Sequence, residues 1–199
     1  METYKEAQAG DERIKIYYDD DIADHGSRDW DNLGKMVCFH DRYNLGDKTD
    51  LKSNMFEGWS ELAEYLKKEE NAVVILPLYL YDHGGISMKV GSFVGKAQHA
   101  EWDSGQVGFI YATKEDIKSE GLTKKRAEEL LRGEVETYNM ELTGEIFRFV
   151  VEKITMCKEC GIEHTEETDS CGGFYGYDLK ENGIFDNISK ELQQALLKA

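Results

Sequence analysis

The sequence predicts an α+β fold, with a mostly antiparallel sheet and about three helices packed on it. Short segments of alternating apolar and polar residues indicate strands, and amphipathic segments that follow capping residues indicate helices. Their order is strand, strand, helix, three times over, which is not the strict alternation of a doubly wound fold. A chain of 199 residues can bury one good core. We therefore expect a single domain over residues 13–199, preceded by a polar, mobile N-terminus at residues 1–12.

The predicted strands share β-branched and aromatic residues and are separated by turn residues. They are residues 13–18 (RIKIYY), 35–40 (KMVCFH), 72–81 (AVVILPLYLY), 106–112 (QVGFIYA), 145–155 (EIFRFVVEKIT) and 173–177 (GFYGY). The third segment is the most apolar in the chain, which indicates a central strand. Because Pro77 has no N–H to donate, it must lie at a bulge or an edge.

The predicted helices each follow a residue that can cap them. Ser60 precedes an amphipathic segment, and Thr123 begins the longest one, which runs to residue 142 and is weakened in the middle by Gly133. Ser189 precedes the last segment, KELQQALLKA. Thr113 and Asp116 also form a capping pattern.

The charge balance is the strongest global signal. Forty acidic residues against 24 basic ones leave a net charge of −16, spread as −6, −5 and −5 over residues 1–60, 61–156 and 157–199. Such a surface repels nucleic acid and anionic membranes and favours basic partners, although solubility alone also explains a diffuse charge. With no apolar run of roughly 20 residues and no signal-peptide pattern, we expect a cytoplasmic protein. Its cysteines are then expected to be reduced thiols or metal ligands.

Two acidic segments are candidate binding surfaces. The densest is the stretch 19–31, which contains Asp19, Asp20, Asp21, Asp29 and Asp31. Its spacing is not that of a calcium-binding EF-hand loop, so a contact surface or simply a solvated loop remains.

The second acidic segment pairs Trp102 with Asp103 before a glycine-rich strand entry. Exposed aromatic residues on turns are common in binding surfaces. An aspartate that caps its own turn would explain the same pattern without a function.

One segment has the composition of a metal site. Cys157 and Cys160 are two residues apart, the spacing of half a zinc knuckle, and His164 and Cys171 follow in the same loop. These four residues are our candidate zinc ligands. Structural thiols and a redox pair are the alternatives. No other cofactor is indicated.

Two short motifs suggest catalysis without establishing it. Cys38 with His40 offers a thiol and a base, and Asp82 precedes His83 in a turn. However, neighbouring residues on a strand point to opposite faces, and the chain has none of the standard catalytic motifs. We therefore name no catalytic residue. A small metal- or thiol-dependent hydrolase stays an alternative.

Several segments together resemble a family of uncharacterised proteins carried by bacteriophages and other mobile elements. The resemblance covers roughly residues 15–180. It depends on residues 29–34 (DWDNLG), 36–44 (MVCFHDRYN), 80–87, 102–111 (WDSGQVGFIY), 134–144 and 169–176 (DSCGGFYG). Small acidic proteins of mobile elements are often inhibitors of host defence, including anti-CRISPR and antirestriction proteins.

The resemblance therefore implies an inhibitor of a host nucleic-acid-processing defence enzyme. Its partner would be a basic surface of a host nuclease or defence complex, which carboxylates occupy by imitating nucleic-acid charge. The protein itself is expected to bind neither nucleic acid nor membrane. An exposed sheet edge would permit a homodimer. The hydrolase and a zinc-stabilised adaptor are the competing hypotheses.

Overall fold

A computed structural model describes residues 2–20 and 26–199 of the chain. The fold is α+β with antiparallel sheets, as the sequence predicts. The chain divides into two compact units, the first made of Met1–Asp24 with Gly144–Ala199 and the second of His25–Thr143. A single domain over residues 13–199 stays a prediction. None of the helices in the described ranges has the length and apolar character needed to cross a membrane.

Strands and helices are interspersed along the chain, without strict alternation. In order they are β1 (Thr3–Ala9), β2 (Glu12–Tyr18), β3 (Lys35–Cys38), α1 (Trp59–Lys68), β4 (Ala72–Asp82), β5 (Ile86–Val90), α2 (Ala100–Asp103), β6 (Ser104–Thr113), α3 (Lys114–Ser119), α4 (Lys124–Leu142), β7 (Ile146–Met156), β8 (Glu163–Tyr175) and α5 (Lys190–Leu196). Short 3₁₀ turns lie at Ser27–Asp29, Ser53–Met55 and Ile184–Asn187.

The first unit is a four-stranded antiparallel sheet in the order β1-β2-β7-β8, with α5 packed on β1 and β2. The segment that we expected to be a mobile N-terminus, residues 1–12, contributes β1. Its Ala7 is buried, and the ring of Tyr4 lies 4.7 Å from that of Phe147. The polar composition of the segment hid the strand, because an edge strand buries only one of its faces.

β8 is much longer than the predicted strand at residues 173–177. Its first eleven residues, 163–173, are exposed, yet they pair with β7 along a long hairpin. Because this part buries no apolar side chain, its sequence lacks the alternation that predicts a strand. Cross-strand ion pairs run along neighbouring strands instead, such as Lys15 with Glu152 at 2.9 Å.

The second unit is a four-stranded antiparallel sheet in the order β3-β6-β4-β5, covered on both faces. α4 packs on one face, where Ile110 and Leu131 are fully buried, and α1 packs on the other, where Leu62 and Leu66 are. The central strand β6 is buried on both faces from Val107 to Thr113. The residues just before β6 and those just after it therefore lie at opposite ends of the sheet.

Pro77 lies in β4 where β5 no longer runs alongside. β5 pairs only with Leu78–Asp82, and a register shift lies between Leu78 and Tyr79. The carbonyl of Pro77 accepts a hydrogen bond from Gly91 N at 3.0 Å. The N and O atoms of a strand residue point to the same side. The position of the missing N–H of Pro77 therefore faces the side of β4 where β5 does not pair, and no ladder hydrogen bond is lost.

Most of the predicted helix caps are present. The side chains of Thr113, Thr123 and Ser189 each accept a backbone N–H three residues on. Ser60 does not cap α1, because that helix begins at Trp59 after Gly58.

Candidate functional site

A loop at residues 26–34 of the second unit is held by a buried arginine. The side chain of Arg28 is 9% exposed, and it donates to Asp47 through Nε and Nη2 at 2.8 and 3.0 Å. It also donates through Nη1 to Glu134 Oε2 at 3.1 Å and through Nη2 to Gly34 O at 2.7 Å. Burial lowers the pKa of Arg28, but hydrogen bonds and charge from Asp47 and Glu134 outweigh it and leave the pKa raised. The guanidinium is therefore a fixed cation that joins the loop to α4.

The two carboxylates also fix the backbone of the loop. Glu134 Oε1 accepts from Leu33 N at 2.9 Å and from Gly34 N at 3.1 Å, and Asp47 Oδ2 accepts from Met36 N at 2.7 Å. A side chain at Gly34 would place its Cβ 2.8 Å from Ile110 and 2.9 Å from Glu134, so any larger residue would force one of these side chains to shift. Because Glu134 is part of α4, these hydrogen bonds hold the loop against that helix.

A third carboxylate holds the start of the loop. Glu141 Oε2 accepts hydrogen bonds from both N and Oγ of Ser27, each at 2.7 Å. Between these two attachments the turn presents Asp29, Trp30 and Asp31 outward. Both aspartates are exposed, and Trp30 exposes 51% of its surface. An exposed acidic and aromatic segment is thus carried on a backbone fixed at both ends.

Two adjoining grooves flank this segment along α4, and three residues, Asn32, Leu130 and Glu134, line both. The first, of about 480 Å³, is also lined by Asp31, Leu33, Asp116, Ser119, Glu120 and Leu122. The second, of about 370 Å³, is also lined by Ser27, Trp30, Arg126, Glu129, Gly133 and Thr137. We call the exposed segment and these two grooves the α4 surface. It combines several carboxylates with leucine and tryptophan side chains.

Gly133 is in the middle of α4 and lines the second groove. Apart from the neighbouring residues and the backbone of its own helix, no atom lies within 4 Å of the position that its Cβ would take. Because glycine inside a helix costs roughly 0.5–1 kcal/mol relative to alanine, we expect Gly133→Ala to raise the free energy of unfolding by about that amount. Urea denaturation measures it. A loss of stability would show that the space beside Gly133 is not open.

The described residues that were predicted to form one acidic surface belong to both compact units. Asp19 and Asp20 belong to the first unit, where Asp19 Oδ2 accepts from Gly173 N at 2.9 Å and so holds the backbone of β8. Asp21 lies outside the described residues. Asp29 and Asp31 lie in the second unit, on the α4 surface.

Trp102 and Asp103 lie at the other end of the same sheet from the α4 surface. They precede β6, whereas Asp116, which lines the α4 surface, follows it, and ten strand residues span roughly 33 Å. Trp102 is 87% exposed, and Asp103 Oδ2 lies 2.8 Å from His83 Nδ1. A groove of about 390 Å³ is lined there by His40, Asp41, Arg42, Asp82, Trp102 and Asp103, among others. We call this the Trp102 surface.

The Trp102 surface contains His40 and Asp82 of the hydrolase alternative, but both are engaged in structural contacts. His40 Nδ1 accepts from the backbone N–H groups of Arg42 and Tyr43 at 3.2 and 3.3 Å. Asp82 Oδ2 accepts from Arg42 and from Tyr43 Oη. Among the described residues, no serine, threonine or cysteine is hydrogen-bonded to His83. The paired His83 and Asp103 could orient an imidazole, without a nucleophile beside it.

Cys38, the thiol of the hydrolase alternative, is a poor nucleophile. Burial, and then the charge of Asp47, raises the pKa of its thiol to about 12. The thiolate, which is the reactive form, is therefore scarce until the pH approaches that value. At pH 8 we expect iodoacetamide to alkylate Cys38 at least about 100-fold more slowly than Cys171, which is exposed. Peptide mass spectrometry of native and denatured protein measures both rates. Equal rates would restore Cys38 as a candidate nucleophile.

The four candidate zinc ligands all lie on the β7–β8 hairpin, and the ladder spreads them out. Cys157 and Cys160 are at its tip, and His164 pairs with Thr155 just beyond. Cys171 pairs with Phe149, roughly 25 Å along the hairpin from the tip. Over residues 2–20 and 26–199, no three His, Cys, Asp or Glu residues are grouped as a metal site. The structure therefore brings Cys157 and Cys160 together and leaves Cys171 apart.

The cysteine pair has the hydrogen bonding of a tight turn. Backbone N–H and thiol groups of Cys160, and then the N–H of Glu159, interact with the sulfur of Cys157 and lower the pKa of that thiol. No two of the four cysteines, all of which are described, form a disulfide.

Comparison with protein-family models, with curated proteins and with solved structures finds no match to this chain. The function must therefore be argued from the site. Of the residues that form the α4 surface, sequence reasoning singled out Asp29 and Asp31 and missed Arg28 and Glu134. The one signal for Arg28 was its position as the only basic residue within the acidic stretch 19–31.

Proposed function

We propose that this chain is a protein-binding module that uses the α4 surface to bind a basic segment of a partner protein. The observation that carries the proposal is the fixed presentation of Asp29, Trp30 and Asp31. The Arg28 ion pairs and the Ser27–Glu141 hydrogen bonds order the loop before any partner arrives. Pre-ordering reduces the entropy lost on binding, so more of the contact energy appears as affinity.

The carboxylates and apolar side chains of the first groove support a partner that is basic and partly apolar. Asp31, Asp116 and Glu120 line the first groove, together with the apolar Leu33 and Leu122. Such a groove accepts a protruding segment that carries lysine or arginine beside apolar residues. The half-exposed side chain of Trp30 adds aromatic surface to the contact.

The resemblance to mobile-element proteins suggests which basic proteins to test. Nucleic-acid-processing defence enzymes of the host carry basic segments along their channels, and blocking one would inhibit the enzyme. Inhibition of such an enzyme by occupation of its basic segment is the function that we propose. The net charge of −16 supports it, because it speeds encounter with a basic partner.

Charge removal on the α4 surface tests the proposal. A panel of purified host nucleases, including CRISPR effectors and restriction enzymes, is titrated with the full chain. For an enzyme that is inhibited, we expect Asp29→Asn with Asp31→Asn to raise the half-inhibitory concentration at least about tenfold at low salt. Raising the salt concentration should reduce the difference, because it screens exposed charges.

A matched variant removes two charges elsewhere. Glu64→Gln with Glu69→Gln changes two exposed carboxylates in and directly after α1, which packs on the opposite face of the sheet from α4. This variant should inhibit like the unaltered chain. If both double variants lose inhibition equally, overall charge rather than the α4 surface is responsible. If neither does, another surface makes the contact.

A further inference from the structure

The tip of the β7–β8 hairpin forms a tight turn around two cysteines. Cys157 N donates to Ile162 O at 2.8 Å, and Gly161 N donates to Cys157 O at 2.9 Å. Gly161 has a φ of +68°, a left-handed conformation that glycine adopts without strain. The N–H groups of Glu159 and Cys160 face the sulfur of Cys157. Both cysteines are accessible, since Cys157 is half-buried and Cys160 is exposed.

Two thiolates separated by two residues in such a turn can bind one zinc ion, but they supply only half of its ligands. Structural zinc is four-coordinate and tetrahedral, with each Zn–S distance about 2.3 Å. Within one chain, Cys171 is too far away, and no group of three ligands exists among the described residues. A four-coordinate site at this turn therefore needs two further ligands from outside the described part of the chain, and a second pair of thiolates would supply them.

The surroundings of the pair favour a second copy of the same chain. Met156 is 56% and Ile162 is 58% exposed, although both are large apolar residues. They directly flank the turn on β7 and after Gly161. Two hairpin tips that meet at a shared ion would cover these side chains, and apolar burial would add to metal binding.

We propose that two copies of this chain share one zinc ion, bound by Cys157 and Cys160 of each copy. Binding displaces the thiol protons, so each ion that binds four thiolates releases up to four protons. No electron transfer is involved. The α4 surface plays no part, so this inference and the proposed function stand or fall separately.

Zinc titration of the full chain tests the proposal. The protein is reduced with a phosphine, stripped with a chelator and titrated with zinc chloride, while light scattering gives the molar mass. We expect saturation at one zinc per two chains, with the mass rising from that of one chain to that of two. Cobalt(II) in place of zinc should show the charge-transfer absorption of a tetrahedral tetrathiolate site. A chelator should return the monomer.

Four variants separate this site from its alternatives. Cys157→Ser and Cys160→Ser, each at the exposed tip, should bind no zinc tightly and stay monomeric, with the far-ultraviolet circular dichroism of the unaltered chain. Cys171→Ser and His164→Ala should behave like the unaltered chain. Saturation at one zinc per monomer that His164→Ala abolishes would overturn the shared site. So would the absence of zinc binding, or a dimer that survives chelation or Cys157→Ser.

Discussion

Replacing Arg28 by methionine should lower the free energy of unfolding of the second unit by about 3 kcal/mol. Methionine fills similar space but leaves Asp47 and Glu134 without their shared cation, and the side chain of Glu134 is only 14% exposed. Carboxylates that lose a buried partner retain most of the cost of leaving water. Chemical denaturation followed by tryptophan fluorescence measures the change.

Two further variants show that the arrangement of the arginine matters and not its charge alone. Arg132 on α4 pairs with Glu128 at 2.8 Å, but its side chain is 47% exposed, so Arg132→Met should cost less than about 1 kcal/mol. Arg28→Lys keeps the charge and loses the planar fork that reaches Asp47 with two nitrogens, and it should fall between the two. Equal losses for Arg28→Met and Arg132→Met would contradict the role given to the buried network.

Trp30→Ala should weaken binding of the inhibited enzyme by about 30-fold or more. Tryptophans at the centre of an interface commonly contribute about 2 kcal/mol or more, which corresponds to that change in affinity. The half-exposed ring contributes less to folding, so the free energy of unfolding should fall by less than about 1 kcal/mol. Titration calorimetry with the purified enzyme measures the binding.

Trp102 supplies the matched control for this prediction. It is another exposed tryptophan of the second unit, at the other end of the sheet. Trp102→Ala should leave binding within about threefold of the unaltered chain. A larger loss from Trp102→Ala than from Trp30→Ala would move the contact to the Trp102 surface.

Local patterns predicted most of the regular structure. Apolar periodicity located β2, β3, β4, β6 and β7, and side-chain caps located the starts of α3, α4 and α5. Apolar periodicity did not predict β1, β5 or the first part of β8. Those strands lie at sheet edges or on the protruding hairpin and bury few large side chains, so their alternation is weak.

The candidate site was harder to predict because its contacts join distant parts of the chain. Arg28 and Glu134 are 106 residues apart, and no local pattern records that pairing. The density of aspartates at 19–31 predicted one surface, and that surface stays a prediction. Among the described members, Asp19 accepts a hydrogen bond from the backbone of β8, and Asp29 and Asp31 belong to the α4 surface. The cysteine spacing predicted the turn at Cys157 and Cys160. The length of the hairpin, which places Cys171 far from that turn, could not be predicted from the sequence.

Hydrogen exchange of the full chain, with and without the enzyme that it inhibits, tests the central claim most directly. If the α4 surface makes the contact, the backbone amides of residues 27–34 and of the adjoining part of α4 should exchange more slowly in the complex. Residues 99–105, which carry the Trp102 surface, should be unchanged. Protection confined to residues 99–105 or to the first unit, with none at 27–34, would contradict the claim.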